Sequence, residues 1–295
     1  MSADTTGEPE VGAPPPERSG RVAAAHATTG PAPHPGGAPE RAAFFDVDNT
    51  IVRGASAFYL GAALYRRRFF RFRDIARFFL VQARFKWIGE KVEHVHLARG
   101  RALALMAGHS VAEVAAIGQQ VYDEVLAAKV WPGTRAMLQR HLDAGERVWL
   151  VTATPMEVAD VMASRLGITG ALGTVAASRD GVYTGELVGE LLHGDAKAEA
   201  IRALAAREGL DLARCSAYSD SSNDLPMLTA VGNPVAVNPD RALRAHARAA
   251  GWPVHEFRSR RHASRPGVRA AGGAGALWAL TVVVRSVVRR LTGPR

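Results

Sequence analysis

Asp46 and Asp48 stand one residue apart where the apolar run Ala42-Ala43-Phe44-Phe45 stops, with Asn49-Thr50 and then Ile51-Val52 behind them. Two carboxylates this close repel unless a cation or a shared proton relieves them. The pair therefore suggests a metal, acid–base work, or both. Three further groups follow along the chain. Thr152 ends the apolar stretch Arg147-Val148-Trp149-Leu150-Val151, just before Pro155 opens a helix. Lys197 falls on a later helix, and Asp220 and Asp224 lie within Ser219-Asp220-Ser221-Ser222-Asn223-Asp224. A carboxylate pair, a hydroxyl at a helix N-terminus, a lysine and a second carboxylate pair make a site for a phosphate and a divalent cation. Helix N-termini bind phosphate through free N–H groups and the dipole. Magnesium takes oxygen ligands, commonly one or two carboxylates with substrate phosphate.

Taken singly, these groups have ordinary readings. Asp46, Asp48, Asp220 and Asp224 would cap loops or helices, Thr152 would cap a helix, and Lys197 would be a solvated helix lysine. Their shared placement is what argues for chemistry. A short apolar run ending in turn-forming residues reads as a buried strand entering a loop. Open parallel sheets carry their sites at such carboxyl ends. Core strands are expected at 42–47, 147–152, 216–219 and 234–237, with a short strand at 174–177 and a hairpin arm at 182–187 after Asp180-Gly181. Helices are expected at 134–144, at 156–166, and from a cap at Asp195 to about residue 209. Between the first two strands, residues 54–130 read as a helical insertion, with patterns at 55–65, 73–87, 92–106 and 111–128. Alternating strands and helices indicate an α/β fold built on a doubly wound parallel sheet.

The segments D-V-D-N-T (Asp46 to Thr50), V-T-A-T-P (Val151 to Pro155), Lys197 and Y-S-D-S-S-N-D-L-P-M-L (Tyr218 to Leu228) resemble the four ordered motifs of haloacid dehalogenase (HAD) superfamily phosphatases. More narrowly, the chain resembles the phosphoserine-phosphatase-like subfamily IB, with a helical C1-type cap between motifs one and two. The resemblance covers about residues 41–239. It implies a HAD Rossmann-like core at 41–53 and 131–255, a helical cap at 54–130, and a magnesium-dependent phosphomonoester hydrolase. Asp46 is then the nucleophile that forms an aspartyl-phosphate. Asp48 protonates the leaving alcohol and later deprotonates water. Asp46, the Asp48 carbonyl and Asp220 hold Mg2+, with Asp224 ligating through water or orienting Lys197. Thr152, the backbone at Ala153, Lys197 and Asn223 bind phosphate. Authentic phosphoserine phosphatases usually read S-G-G-F where this chain reads Thr152-Ala153-Thr154-Pro155, and G-D-G where it has Ser219-Asp220-Ser221. Those changes keep phosphate chemistry and leave the substrate open: a small phosphorylated metabolite, phosphoserine itself, or a lipid phosphate handled by a membrane-associated enzyme or regulatory binding protein.

The chain has 295 residues, 47% of them apolar, as in a globular protein. A lone cysteine, Cys215, excludes an intramolecular disulfide and any multi-cysteine zinc site, and reads as a core thiol. The net charge of +9 is uneven. From Arg241 to Arg295 there are 12 arginines against one acid, Glu256, whereas the preceding 240 residues hold 25 Lys and Arg against 27 acids. The basicity belongs to the end of the chain, so a specific nucleic-acid partner is not expected. Residues 1–40 are rich in Pro, Gly, Ala and Thr, read as a disordered tail, and lack the pattern of a secretory signal. A cytoplasmic enzyme is the expectation.

Two stretches raise a membrane contact. Residues 65–87 interleave Phe and Trp with eight Lys and Arg: a cap helix pair with a solvated basic face is the leading reading, a surface for anionic lipid or a lipid-phosphate substrate the second, and nucleic acid the third, with no recognition motif beside it. In the basic segment 256–295, residues 270–284 are uncharged and precede Arg285, Arg289 and Arg290. That run falls short of the roughly 20 residues a spanning helix needs. An amphipathic helix in peripheral contact with anionic membrane is the leading expectation, against a full span or a helix packed on the protein. His94 and His96 read as surface or packing histidines.

Overall fold

The computed structural model describes residues 41–67, 69 and 106–258. The expected N-terminal tail, the helical pattern at 73–87, all but the last residue of the pattern at 92–106, most of the basic aromatic stretch 65–87, His94, His96 and the C-terminal run at 270–284 with its arginines lie outside the described residues. In chain order the elements are β1 (Ala42–Phe45), α1 (Ser56–Arg66), α2 (Val111–Val121), α3 (Pro132–Asp143), β2 (Arg147–Pro155), α4 (Met156–Leu166), β3 (Gly170–Thr174), β4 (Ala176–Arg179), β5 (Val182–Leu187), α5 (Asp195–Glu208), β6 (Ser216–Ser219), α6 (Leu225–Thr229), β7 (Asn233–Val237), α7 (Arg241–Ala249) and β8 (Val254–His255). Six strands form one sheet in the order β3-β2-β1-β6-β7-β8, and every pairing in it is parallel.

β1 is fully buried because it is central and covered on both faces, which is why it reads as an unbroken apolar run. Its side chains still alternate between faces. Ala43 and Phe45 join Val148 and Leu150 in a core with Val114 and Ile117 of α2, Met137 of α3 and Met162 of α4. Ala42 and Phe44 join Trp149 and Val151 in a second core with Ile201 of α5, Met227 of α6 and Leu243 of α7. The result is a helix–sheet–helix sandwich with two separate apolar layers. Cys215 is buried in the second layer and accepts a hydrogen bond from the Ala42 N–H at 3.3 Å.

Several elements depart from the sequence reading. β2 continues through the T-A-T-P stretch to Pro155. The single strand expected at 174–177 is two strands in different sheets, β3 at the edge of the large sheet and β4 in the hairpin. Glycines hid β3. A Cβ at Gly170 would lie 2.6 Å from the Trp149 ring, and one at Gly173 would lie 2.9 Å from the Met156 Cα, so close packing selects glycine in a strand. The helix expected at 111–128 stops at Val121, then widens to a π-turn over Tyr122–Leu126 and tightens to 3-10 over Ala127–Lys129. Asp195 is the first residue of α5, not its cap; that position is Gly194, with φ of 58°. β8, for which the sequence reading placed no strand, extends the sheet beyond β7.

The expected hairpin is β4 with β5. Asp180 (φ 52°) and Gly181 (φ 76°) both take the left-handed conformation that a two-residue type I′ turn requires. The hairpin also receives the returning end of the insertion: Gly108 donates to the Tyr183 carbonyl, and Val111 to that of Gly181. Leu60, Leu64, Met106 and Ile117, from both described ends of the insertion, belong to the same apolar core as Phe45.

Asn238, after β7, ties three segments together. Its Nδ2 donates to the Asn49 carbonyl at 3.1 Å, its Oδ1 accepts from the Phe257 N–H at 2.7 Å, and its own N–H donates to the His255 carbonyl at 2.7 Å. It is fully buried with φ of 47°, a conformation asparagine tolerates better than most residues. We predict that Asn238→Ala lowers stability by about 1–2 kcal/mol, because it leaves two half-buried backbone groups without their partner. Urea unfolding checks this, and an unchanged midpoint contradicts it.

Candidate active site

Register brings the sequence-predicted residues to one end of the sheet. Phe45 pairs with Leu150 on one side and with Tyr218 on the other. Asp46, one residue beyond Phe45, therefore leaves β1 level with Val151 and Ser219, and Thr152 and Asp220 follow one residue further along their strands. The Asp46 N–H donates to the Tyr218 carbonyl at 2.9 Å, which continues the ladder one step past the strand. From β1 the chain runs outward through β2 and β3 on one side and, after α5, crosses back to β6 on the other, which makes the end of β1 a switch point where open α/β sheets bind ligands.

Lys197 reaches this point from α5. Its Nζ donates to Asp46 Oδ1 at 2.6 Å and to Asp224 Oδ2 at 2.8 Å, with all three residues buried. Thr50 Oγ1 donates to the other Asp46 oxygen, Oδ2, at 3.0 Å, and Ser219 Oγ donates to Asp224 Oδ2 at 2.7 Å. Burial disfavours a charged lysine, but Asp46 and Asp224 outweigh it and hold the ammonium well above its ordinary value. A buried ammonium with two carboxylate partners is thus fixed in place and permanently charged.

The carboxylates still outnumber the cations. Among the described residues, Asp46, Asp48, Asp220 and Asp224 share this end of the sheet with Lys197 and, at its rim, Arg258, whose Nη2 lies 3.5 Å from Asp220 Oδ2. Burial pushes the Asp46 carboxyl up to about 7, with Lys197 pulling it down and Asp224 and Asp48 raising it further. Burial, then the Asp46 charge, pushes Asp220 up to about 8 against the pull of Arg258. Such buried, mutually repelling oxygens are short of positive charge, and a divalent cation fits them. No group of three or more His, Cys, Asp or Glu side chains among the described residues could hold a metal alone. Two carboxylates plus a backbone carbonyl suit magnesium, which usually completes its shell with water and substrate oxygens.

The remaining groups are placed as follows. Thr152 is buried near the end of β2, three residues before Pro155 gives way to α4. Its hydroxyl lies 3.1 Å from that of Thr154. Ala153 is half-buried, and its carbonyl accepts from Thr174 Oγ1 at 2.9 Å. Asn223 is exposed on the 3-10 turn Ser222–Asp224, with its backbone N–H donating to Ser221 Oγ. Sequence reasoning missed Thr50, Ser56, Thr154 and Arg258. Thr50 had a signal, being four residues after Asp46 in a tight turn. Ser56 opens a helix, where a hydroxyl normally reads as a cap, yet its hydroxyl and N–H both donate to Asp48 Oδ1.

Replacing Lys197 by methionine should leave Asp46 and Asp224 buried without their shared cation. We predict a loss of about 3–5 kcal/mol, as for other broken buried ion pairs, together with loss of activity. Urea titration of Lys197→Met checks the first part, and wild-type stability in that variant contradicts it.

A family model described as haloacid dehalogenase-like hydrolase matches residues 43–229. The phosphoserine phosphatase SerB1 of Mycobacterium tuberculosis is 56% identical over 236 residues, which cover 80% of this chain and 77% of that protein. A protein of Streptomyces azureus named for inhibition of morphological differentiation is 37% identical over 222 residues, covering 74% of this chain and 79% of that one. A solved structure of a protein of unknown function from Bordetella pertussis Tohama I superimposes with a TM-score of 0.65 at 31% identity, over 74% of this chain and 98% of the other. The matched region runs from β1 to the end of α6 and takes in every carboxylate named above, and on that extent and that identity the chain belongs to the haloacid dehalogenase-like hydrolase family.

Proposed function

We propose that the chain is a magnesium-dependent phosphomonoester hydrolase that works through a phosphorylated Asp46 on a small phosphorylated metabolite. The observation that carries this reading is the buried contact of Lys197 with Asp46 and Asp224, next to Asp220, at the end of a central strand. Asp46, the Asp48 carbonyl and Asp220 would hold Mg2+, which when bound supplies positive charge to the phosphate and to Asp46. An Asp46 carboxylate oxygen forms the new bond to phosphorus as the ester P–O bond breaks, and Asp48 gives its proton to the departing alkoxide. Asp48, now ionised, takes a proton from water as that water attacks phosphorus, releasing phosphate and restoring Asp46. Lys197 stays charged throughout and offsets the negative charge gathering on Asp46 and the phosphoryl group, the form of electrostatic support on which phosphoryl transfer mainly depends. Thr152, the backbone at Ala153 and Asn223 are the groups for the phosphate oxygens.

We assign the core to residues 41–53 and 131–255 and the substrate-selecting cap to residues 54–130. Phosphoserine is the first substrate to test, since the mycobacterial relative carries that name; the T-A-T-P motif is the reason to test others beside it. The cytoplasm is the natural compartment for this chemistry. Peripheral contact of residues 256–295 with anionic membrane rests on the arginines of that segment. Among the described residues no helix is long and apolar enough to cross a membrane.

Purified protein with Mg2+ should hydrolyse 4-nitrophenyl phosphate, and Asp46→Asn should lower kcat/KM by about 10³-fold or more, as removal of a covalent nucleophile does. Full activity in that variant sinks the assignment. Magnesium at about a hundredfold excess over its Kd should stabilise the protein by about 2.7 kcal/mol, an effect that Asp220→Asn should remove. Equal stabilisation of both proteins removes Asp220 from the metal site. Within a panel of phosphorylated metabolites, kcat/KM decides the substrate.

A further inference from the structure

The T-A-T-P stretch brings a second threonine, Thr154, to the site, and it meets the first helix of the insertion. Ser56, at the start of α1, lies against Asp48: its backbone N–H donates to Asp48 Oδ1 at 2.8 Å, and its hydroxyl donates to the same oxygen. Ser56 Oγ is also 2.8 Å from Thr154 Oγ1, Thr154 Oγ1 is 3.1 Å from Thr152 Oγ1, and the Thr154 N–H donates to Thr152 Oγ1 at 3.2 Å. Ser56, Thr152 and Thr154 are each about 1% exposed, so water does not compete for these bonds.

Each hydroxyl has one proton to give, and this fixes the direction of the chain. Ser56 spends its proton on Asp48, so at the 2.8 Å contact Thr154 must donate and Ser56 accept. Thr154 has then spent its own proton, so Thr152 must donate to it. The polarity runs from Thr152 through Thr154 and Ser56 to Asp48 Oδ1. An Asp48 oxygen that receives an N–H and an O–H is held as an acceptor. When Asp48 is the neutral acid, its proton belongs on the other oxygen, Oδ2. The carboxyl is also pinned in rotation, since both donors belong to one residue at the start of a helix.

We propose that Ser56, oriented by Thr154, is a positioning residue for Asp48, fixing the carboxyl so that Oδ2 carries the proton delivered to the leaving alcohol. This rests on the reading of Asp48 as the acid–base group. Thr152 takes part at both ends: a bound phosphate oxygen competes with Thr154 for the Thr152 proton, while the Thr154-to-Ser56-to-Asp48 portion keeps its direction. The glycines usual at this motif could not supply that hydroxyl, so the departure at Thr154 has a use in this chain.

Leaving groups distinguish positioning of a proton donor from ordinary packing of buried hydroxyls. 4-Nitrophenolate departs with little help, whereas an aliphatic alkoxide needs its proton. Asp48→Asn, Ser56→Ala, Ser56→Thr and Thr154→Val are assayed with Mg2+ on 4-nitrophenyl phosphate and on the best aliphatic monoester of the panel, using kcat/KM, which reports steps up to phosphorylation of Asp46. General acid catalysis contributes about 10²–10⁴-fold. Asp48→Asn should therefore raise the aryl-to-aliphatic ratio by about 10²-fold or more, Ser56→Ala by about tenfold, and Thr154→Val less but in the same direction, with Ser56→Thr near wild type. If Asp48→Asn slows both esters equally, the acid–base reading fails and takes this proposal with it. If Asp48→Asn shifts the ratio but neither Ser56→Ala nor Thr154→Val does, the acid–base reading stands and the positioning role is overturned. Should Ser56→Ala not fold, the shift in Thr154→Val, which keeps the side-chain shape, decides between the same two outcomes.

Discussion

The ammonium of Lys197, buried between Asp46 and Asp224, is the contact on which the rest of the site depends. A lone carboxylate at the end of a buried central strand would be costly to ionise, and three more carboxylates nearby make the cost greater. Lys197 offsets part of it from within the protein. It also joins β1, α5 and the loop after β6, segments far apart in the chain. The residual negative charge, concentrated on Asp46 and Asp220, is the same imbalance that makes the site receptive to a divalent cation. One charge arrangement would then serve both stability and chemistry: the cation that makes Asp46 tolerable in the core is the group proposed to offset charge on the phosphate.

Around that contact, the scaffold works by register and by closure of loops. Parallel pairing of β1 with β2 and β6 brings Asp46 level with Val151 and Ser219, the residues just before Thr152 and Asp220, so all three functional groups gather at one end of the sheet. Asn49 and Asn238, both in left-handed conformation, turn the chain where a strand end must become a loop. The Asn49 side chain accepts from the Gly54 N–H at 3.0 Å, and Asn238 fastens that loop to the segment after β8. That segment then delivers Arg258 to Asp220. The insertion is linked as well, since Ser56 begins α1 and holds Asp48.

Much of this was legible in the sequence because the signals were local. The four-residue apolar run before Asp46, the Pro155 helix start and the Asp180-Gly181 turn each depend on neighbours in the chain, and each appears where its pattern places it. β3 was not legible, since its glycines are selected by the Trp149 ring and by the backbone of Met156, contacts that no window of sequence contains. α7 and β8 were missed because the basic composition near the C-terminus masked an amphipathic helix and a two-residue edge strand. At the site, Asp46, Asp48, Lys197 and Asp220 could be named from ordered motifs. The partners that determine their geometry could not: Ser56 meets Thr154 across 98 positions, and a hydroxyl at a helix start carries the same local signal whether it caps the helix or serves a carboxylate in another loop.

The proposed reaction stands or falls on whether the phosphoryl group passes through Asp46. Acid-quenching the enzyme during turnover, reducing the acyl phosphate with borohydride and mapping the peptides measures it directly, because reduction converts a phosphorylated aspartate to homoserine. Homoserine is expected at position 46, dependent on substrate and on magnesium. Modification at another carboxylate, or an unmodified Asp46 in enzyme that is turning over, would contradict it.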